Sequence, residues 1–129
     1  MKRLVFSVIL SIFIGCSNNV TSIQTAKLNQ KFKIKYEQEV QIVPEGFAVK
    51  LDSVMDGRCP RGAECFWAGN ARIVLSVNNT SVSLNSELEP KEGSFKNYKF
   101  EMISLSPLPS LKNPVPLKDY VAELIISKN

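Results

Sequence analysis

The chain has 129 residues, 44% hydrophobic and 22% charged, which fits one globular domain rather than a disordered or fibrous polymer. It contains no histidine and three cysteines, so Ser-His-Asp and Cys-His catalytic sites, His-based zinc sites and four-cysteine zinc sites are all excluded. The formal net charge of +4 falls to +2 if Lys2 and Arg3 leave with residues 1–15, and the remaining lysines are scattered, so no nucleic-acid partner is expected.

Met1-Lys2-Arg3 is a short basic head, and Leu4 to Ile14 is apolar except for Ser7 and Ser11. That run has the length of a signal-peptide core and is too short for a membrane span. It ends in Phe13-Ile14-Gly15-Cys16. A small residue directly before a cysteine at this place resembles the lipobox of bacterial lipoproteins, although leucine is commoner where Phe13 stands. The resemblance implies that residues 1–15 are a signal peptide and that Cys16 is the lipidation site, palmitate or a similar chain tying the mature N-terminus to membrane lipid. Two or more acyl chains anchor a protein stably where one holds it marginally. Ser17, rather than an aspartate, follows the cysteine; by resemblance to sorting in Gram-negative envelopes this implies the outer membrane, facing the periplasm. An ordinary cleaved signal peptide or a short N-terminal anchor is the alternative. Residues 16–27 then read as the lipidated cysteine and a polar, flexible tether, and residues 28–129 as a single β domain.

From Phe32 onward the dominant period is two. Phe32, Ile34 and Tyr36 alternate with Lys31, Lys33 and Lys35, the pattern of a half-buried strand. Val40 and Ile42 suggest a second strand stopped by Pro44, and Glu45-Gly46 a turn. Phe47, Val49 and Leu51 give a third strand to about Val54. Ala71, Ile73, Leu75 and Val77, the turn pair Asn78-Asn79, and Val82 and Leu84 read as a hairpin over 71–85. Glu87 to Gly93 reads as an exposed connection. Tyr98, Phe100 and Met102 form a strand whose phase changes at Ile103 and Leu105, which suggests a bulge. Four of the seven prolines, Pro107, Pro109, Pro114 and Pro116, mark a loop or an edge. Tyr120, Ala122, Leu124 and Ile126 form the last strand. About seven strands and no helical periodicity predict an all-β fold, an antiparallel two-sheet sandwich of immunoglobulin-like kind, with a small β-barrel as the alternative.

Between the third strand and the hairpin lies Asp56-Gly57-Arg58-Cys59-Pro60-Arg61-Gly62-Ala63-Glu64-Cys65-Phe66-Trp67-Ala68-Gly69-Asn70, which holds the only tryptophan. Once Cys16 carries lipid, the remaining cysteines make one nearby pair, and an oxidising envelope permits a Cys59–Cys65 disulfide. Closing so short a loop removes unfolded-state entropy worth about 2.4 kcal/mol. Trp67, at the start of a strand, is expected to plug the core. Arg58 and Arg61 are expected to be exposed, and with Glu64 and Trp67 they make up the candidate binding loop.

The same run, continued to Ala71, resembles an Asp-x-Arg-Cys-Pro-x-Gly-x-x-Cys-x-Trp-Ala-Gly-x-Ala motif found in small uncharacterised bacterial lipoproteins and secreted proteins, where serine is commoner at the place of Gly57. Those proteins also tend to end in a proline-containing segment followed by Asp-Tyr-Val-Ala-x-Leu, matched here by Asp119-Tyr120-Val121-Ala122-Glu123-Leu124. The resemblance implies a shared architecture and carries no activity. The expectation is therefore a lipid-anchored, non-enzymatic binding or structural module of the cell envelope, without cofactor or metal. Its partner would be an unidentified envelope protein or ligand. The alternative is a protease-inhibitor-like domain that presents Arg61-Gly62 on the disulfide-closed loop. Redox chemistry at Cys59 and Cys65 is disfavoured, because their spacing is not that of a Cys-x-x-Cys motif.

Overall fold

The computed structural model describes Gly15 and residues 22–129; Cys16, the segment read as a signal peptide apart from Gly15, and residues 17–21 of the expected tether lie outside the described residues. Two sheets face each other as a sandwich and do not close into a barrel. The first has five strands in the order β1 (Gln24–Ala26), β3 (Glu39–Ile42), β4 (Phe47–Arg58), β5 (Gly69–Val77) and β6 (Thr80–Asn85). The second has four, in the order β2 (Phe32–Lys35), β9 (Val121–Lys128), β8 (Tyr98–Ser106) and β7 (Glu92–Phe95). Among the paired strands of the described residues only β1 and β3 run parallel.

Among the described residues nine strands stand where about seven are expected. The two additions are short and polar, so hydrophobic alternation does not reveal them. β1 lies inside the segment read as tether, which means that the folded body starts at Gln24 rather than at residue 28. It is held as a parallel edge by β3, and Ala26 is tucked into the core. β7 begins inside the segment read as an exposed connection. Gly93 lets it lie close over β6: a Cβ there would collide with Val82 and meet the Leu84 side chain at 3.0 Å.

The core is the two inner faces. Ile34, Val49, Leu75, Phe100, Leu124 and Ile126 are among its fully buried members. Phe47 packs against Tyr98 with ring centroids 4.8 Å apart, so the largest aromatic contact lies at the β3–β4 turn end, here called the base. The hairpin of β5 and β6 turns through Asn78 and Asn79, both at positive φ, as a two-residue hairpin turn requires.

Two bulges set which residues face inward near the opposite end, the apex. In β8 the register shifts between Met102 and Ser104, which agrees with the expected phase change. In β4 it shifts between Leu51 and Ser53. The inward set there passes from Phe47, Val49 and Leu51 to Val54 and onward to Asp56 and Arg58. β4 thus runs to Arg58 rather than stopping near Val54, and its last turn-inward positions carry charge.

Candidate functional site

Asp56 and Arg58 are two residues apart on one strand and therefore share a face. Their side chains form a fork-to-fork pair: Arg58 Nε donates to Asp56 Oδ1 at 2.8 Å and Arg58 Nη2 to Oδ2 at 2.7 Å. The guanidinium then reaches the other sheet, donating to the carbonyls of Leu105 at 2.6 Å and Pro107 at 2.9 Å. Tyr120, from the start of the last strand region, donates its hydroxyl to Asp56 Oδ2 at 3.0 Å. The Asp56 side chain is only 3% exposed and that of Arg58 17%. Burial pushes the Asp56 carboxyl up, but hydrogen bonds from Arg58 and Tyr120 outweigh it and hold the group below its ordinary value. Burial, then the bond to Asp56, pushes the Tyr120 phenol up to about 12. Arg58 is therefore a clamp between sheets and not the exposed charge expected of it, because the β4 bulge turns it inward.

Beyond the clamp the chain leaves the sandwich. Cys59 N–H donates to the Ala68 carbonyl at 2.7 Å, closing the base of the loop. Cys59 and Cys65 are joined by a disulfide with their Cα atoms 6.0 Å apart. Gly69 turns the chain back at φ +75°; a Cβ there would strike the Gly57 carbonyl and lie 2.7 Å from Arg58 Cα. The loop is braced by the proline-rich segment: Arg61 N–H donates to the Pro109 carbonyl at 2.9 Å, and Leu111 N–H to the Arg61 carbonyl at 3.3 Å. The Arg61 side chain points out, with only a 3.4 Å contact to the Leu108 carbonyl.

Trp67 is not a core plug. It is 55% exposed, and Phe66 beside it is fully exposed. Alternation along β5 would carry Trp67 to the inner side, but the facing sheet ends at the Ser106–Val121 pair, so no opposing layer exists at that height. Glu64 is exposed as well. Of the four residues of the candidate binding loop, Arg61, Glu64 and Trp67 therefore stand on the apex surface, and Arg58 lies beneath them.

A cleft of about 470 Å³ opens beside the loop, between the sheets. Met102, Ile103, Leu105 and Leu108 form one wall, and Ser86 and Glu87 the other. The second wall is shaped by Asn70. Its Oδ1 accepts from the N–H groups of Glu87 at 3.0 Å and Leu88 at 3.1 Å, while its Nδ2 donates to Asn85 Oδ1 at 2.9 Å. Asn70 and Asn85 are not among the expected site residues, and Tyr120 is expected only as a strand residue; the Asp-x-Arg spacing on a strand is the one local signal for the clamp. Among the described residues no His, Cys, Asp and Glu cluster has metal-ligand geometry, and no buried side-chain nitrogen or oxygen lacks a partner. No protein-family model matches the chain, and no curated protein or solved structure matches it either.

Proposed function

We propose that this chain is an envelope lipoprotein, anchored through acylated Cys16, whose β-sandwich is a non-enzymatic binding module that uses the apex as its contact surface. The observation that carries the reading is the placement of Phe66 and Trp67 outside the core on a loop fixed by a disulfide, an inter-sheet clamp and a proline-rich strap. A rigid support lowers the ordering entropy that a binding surface must give up, and exposed aromatics on such supports mark contact sites. The buried charges support no catalytic reading, since each is fully engaged in holding the two sheets together.

The inhibitor alternative has less support. A loop that mimics a protease substrate must offer the main chain of its arginine, and both the N–H and the carbonyl of Arg61 are already bonded to the strap. Two measurements test the proposal. Labelled palmitate should enter the wild-type chain and not Cys16→Ser; equal labelling removes the anchor. Photo-crosslinking from position 67 in intact envelopes should yield an adduct with lipid or with one envelope protein, and no adduct removes the apex as a contact surface; a wild type that inhibits a trypsin-like protease while Arg61→Ala does not would restore the inhibitor reading.

A further inference from the structure

We infer that the apex contact is the membrane surface itself: Phe66 and Trp67 dip into the interfacial layer of the bilayer to which Cys16 ties the chain. The inference rests on the anchor reading above and names the occupant of the same surface.

Three observations lead to it. The first is height. β1 runs from the apex side towards the base, because it is parallel to β3, which leads into the basal turn. Gln24 pairs with Val40 and Val40 with Val49, which places Ser22 near the level of Leu51. From Leu51 to the end of β4 at Arg58 the bulged strand keeps pace with the six steps of β5 from Leu75 to Gly69, a rise of about 20 Å. The six residue steps from Cys16 to Ser22 span at most about 20 Å. A surface holding Cys16 on the apex side is thus reached by the apex and by the fully extended link at nearly the same height.

The second is the character of the tip. Phe66 is 110% exposed and Leu111, on the adjoining strap, 64%. Phe66 adjoins Trp67, the one tryptophan of the chain, and Leu111 lies beside Gly62 of the same loop. Indole favours the headgroup boundary, where its ring is sheltered and its N–H stays hydrated. The third is charge. The two segments that form this lip, 59–68 and 107–119, carry Arg61, Lys112 and Lys118 against Glu64 and Asp119. The acid Glu87 lies on the opposite lip of the cleft. An anionic surface would therefore draw the domain down on the aromatic side.

The test reads Trp67 directly. Processed full-length protein is purified from envelopes and reconstituted into vesicles of phosphatidylethanolamine with phosphatidylglycerol. The expected emission is shifted to the blue, quenched by lipids brominated on their acyl chains, and shielded from iodide. Phe66→Ser should lose much of that quenching. Arg61→Gln with Lys112→Gln should lower the docked-to-undocked ratio roughly thirtyfold on these anionic vesicles and leave it unchanged on phosphatidylcholine. An indole that is unquenched and open to iodide, in protein shown by mass to be acylated, overturns the inference. So does an indole shielded only after an envelope protein is added, which makes that protein the occupant. Acylation is read by mass and insertion by quenching, so the anchor and the apex contact fail separately.

Discussion

The oxygens of Asp56 face a guanidinium and a phenol, and water hardly reaches them. Arg58→Ala strands that carboxylate and is expected to cost about 3 kcal/mol in urea unfolding. Tyr120→Phe removes one of its donors and should cost about 1–2 kcal/mol. The pH dependence follows from the signs. The native carboxyl titrates below its ordinary value, so its contribution is complete above the unfolded value near ~3.9 and is lost as pH falls through the native one; Asp56→Asn should flatten this acid limb of stability. The Tyr120 phenol is raised to about 12. Its contribution is complete below the unfolded value near ~10 and is lost as pH rises through about 12. Tyr120→Phe should keep the alkaline limb due to Tyr98, which its hydrogen bond to Glu45 also raises, and to Lys99, raised by its bond to Glu92. A strand reading of Asp-x-Arg was open to the sequence. That both residues face inward was not, since it depends on a bulge that betrays itself only in the three-residue step from Leu51 to Val54.

The central loop depends on two covalent devices, and each has a separable effect. Gly69 combines positive φ with a backbone collision, whereas Gly46 has positive φ in open space. Gly46→Ala should therefore cost about 1 kcal/mol, and Gly69→Ala on the order of 3 kcal/mol or more; equal losses in urea midpoints would mean that the close approach to Gly57 relaxes freely. Replacing both Cys59 and Cys65 by serine should lower stability by about 2.4 kcal/mol while the far-ultraviolet spectrum is kept, because the loop lies outside both sheets. Long amphipathic strands such as β5 and β9 were legible, as their inner and outer faces differ in every second residue. β1 and β7 were not, because each is three or four residues on an edge with a single apolar residue, Ala26 or Phe95, against the core, too short for alternation to show. Trp67 was misplaced for a related reason: alternation assigns a face, but only the opposing sheet decides whether that face is covered.

At the scale of the whole molecule, the sandwich could be read from period-two segments separated by turn residues, and it is all-β with two sheets as expected. Connectivity between the sheets, the cleft and the strap across Arg61 depend on contacts far apart in sequence, which no local pattern encodes. Cys16 lies outside the described residues, and the palmitate experiment is its test. The parallel seating of β1 bears on what happens when a moored domain is tugged. Tension from the N-terminus pulls along the strand axis, so the bonds joining β1 to β3 are loaded together in shear instead of being peeled one at a time. A three-residue edge strand set this way would act as a mechanical fastener, and force spectroscopy should find it more resistant to traction from the N-terminus than its length suggests.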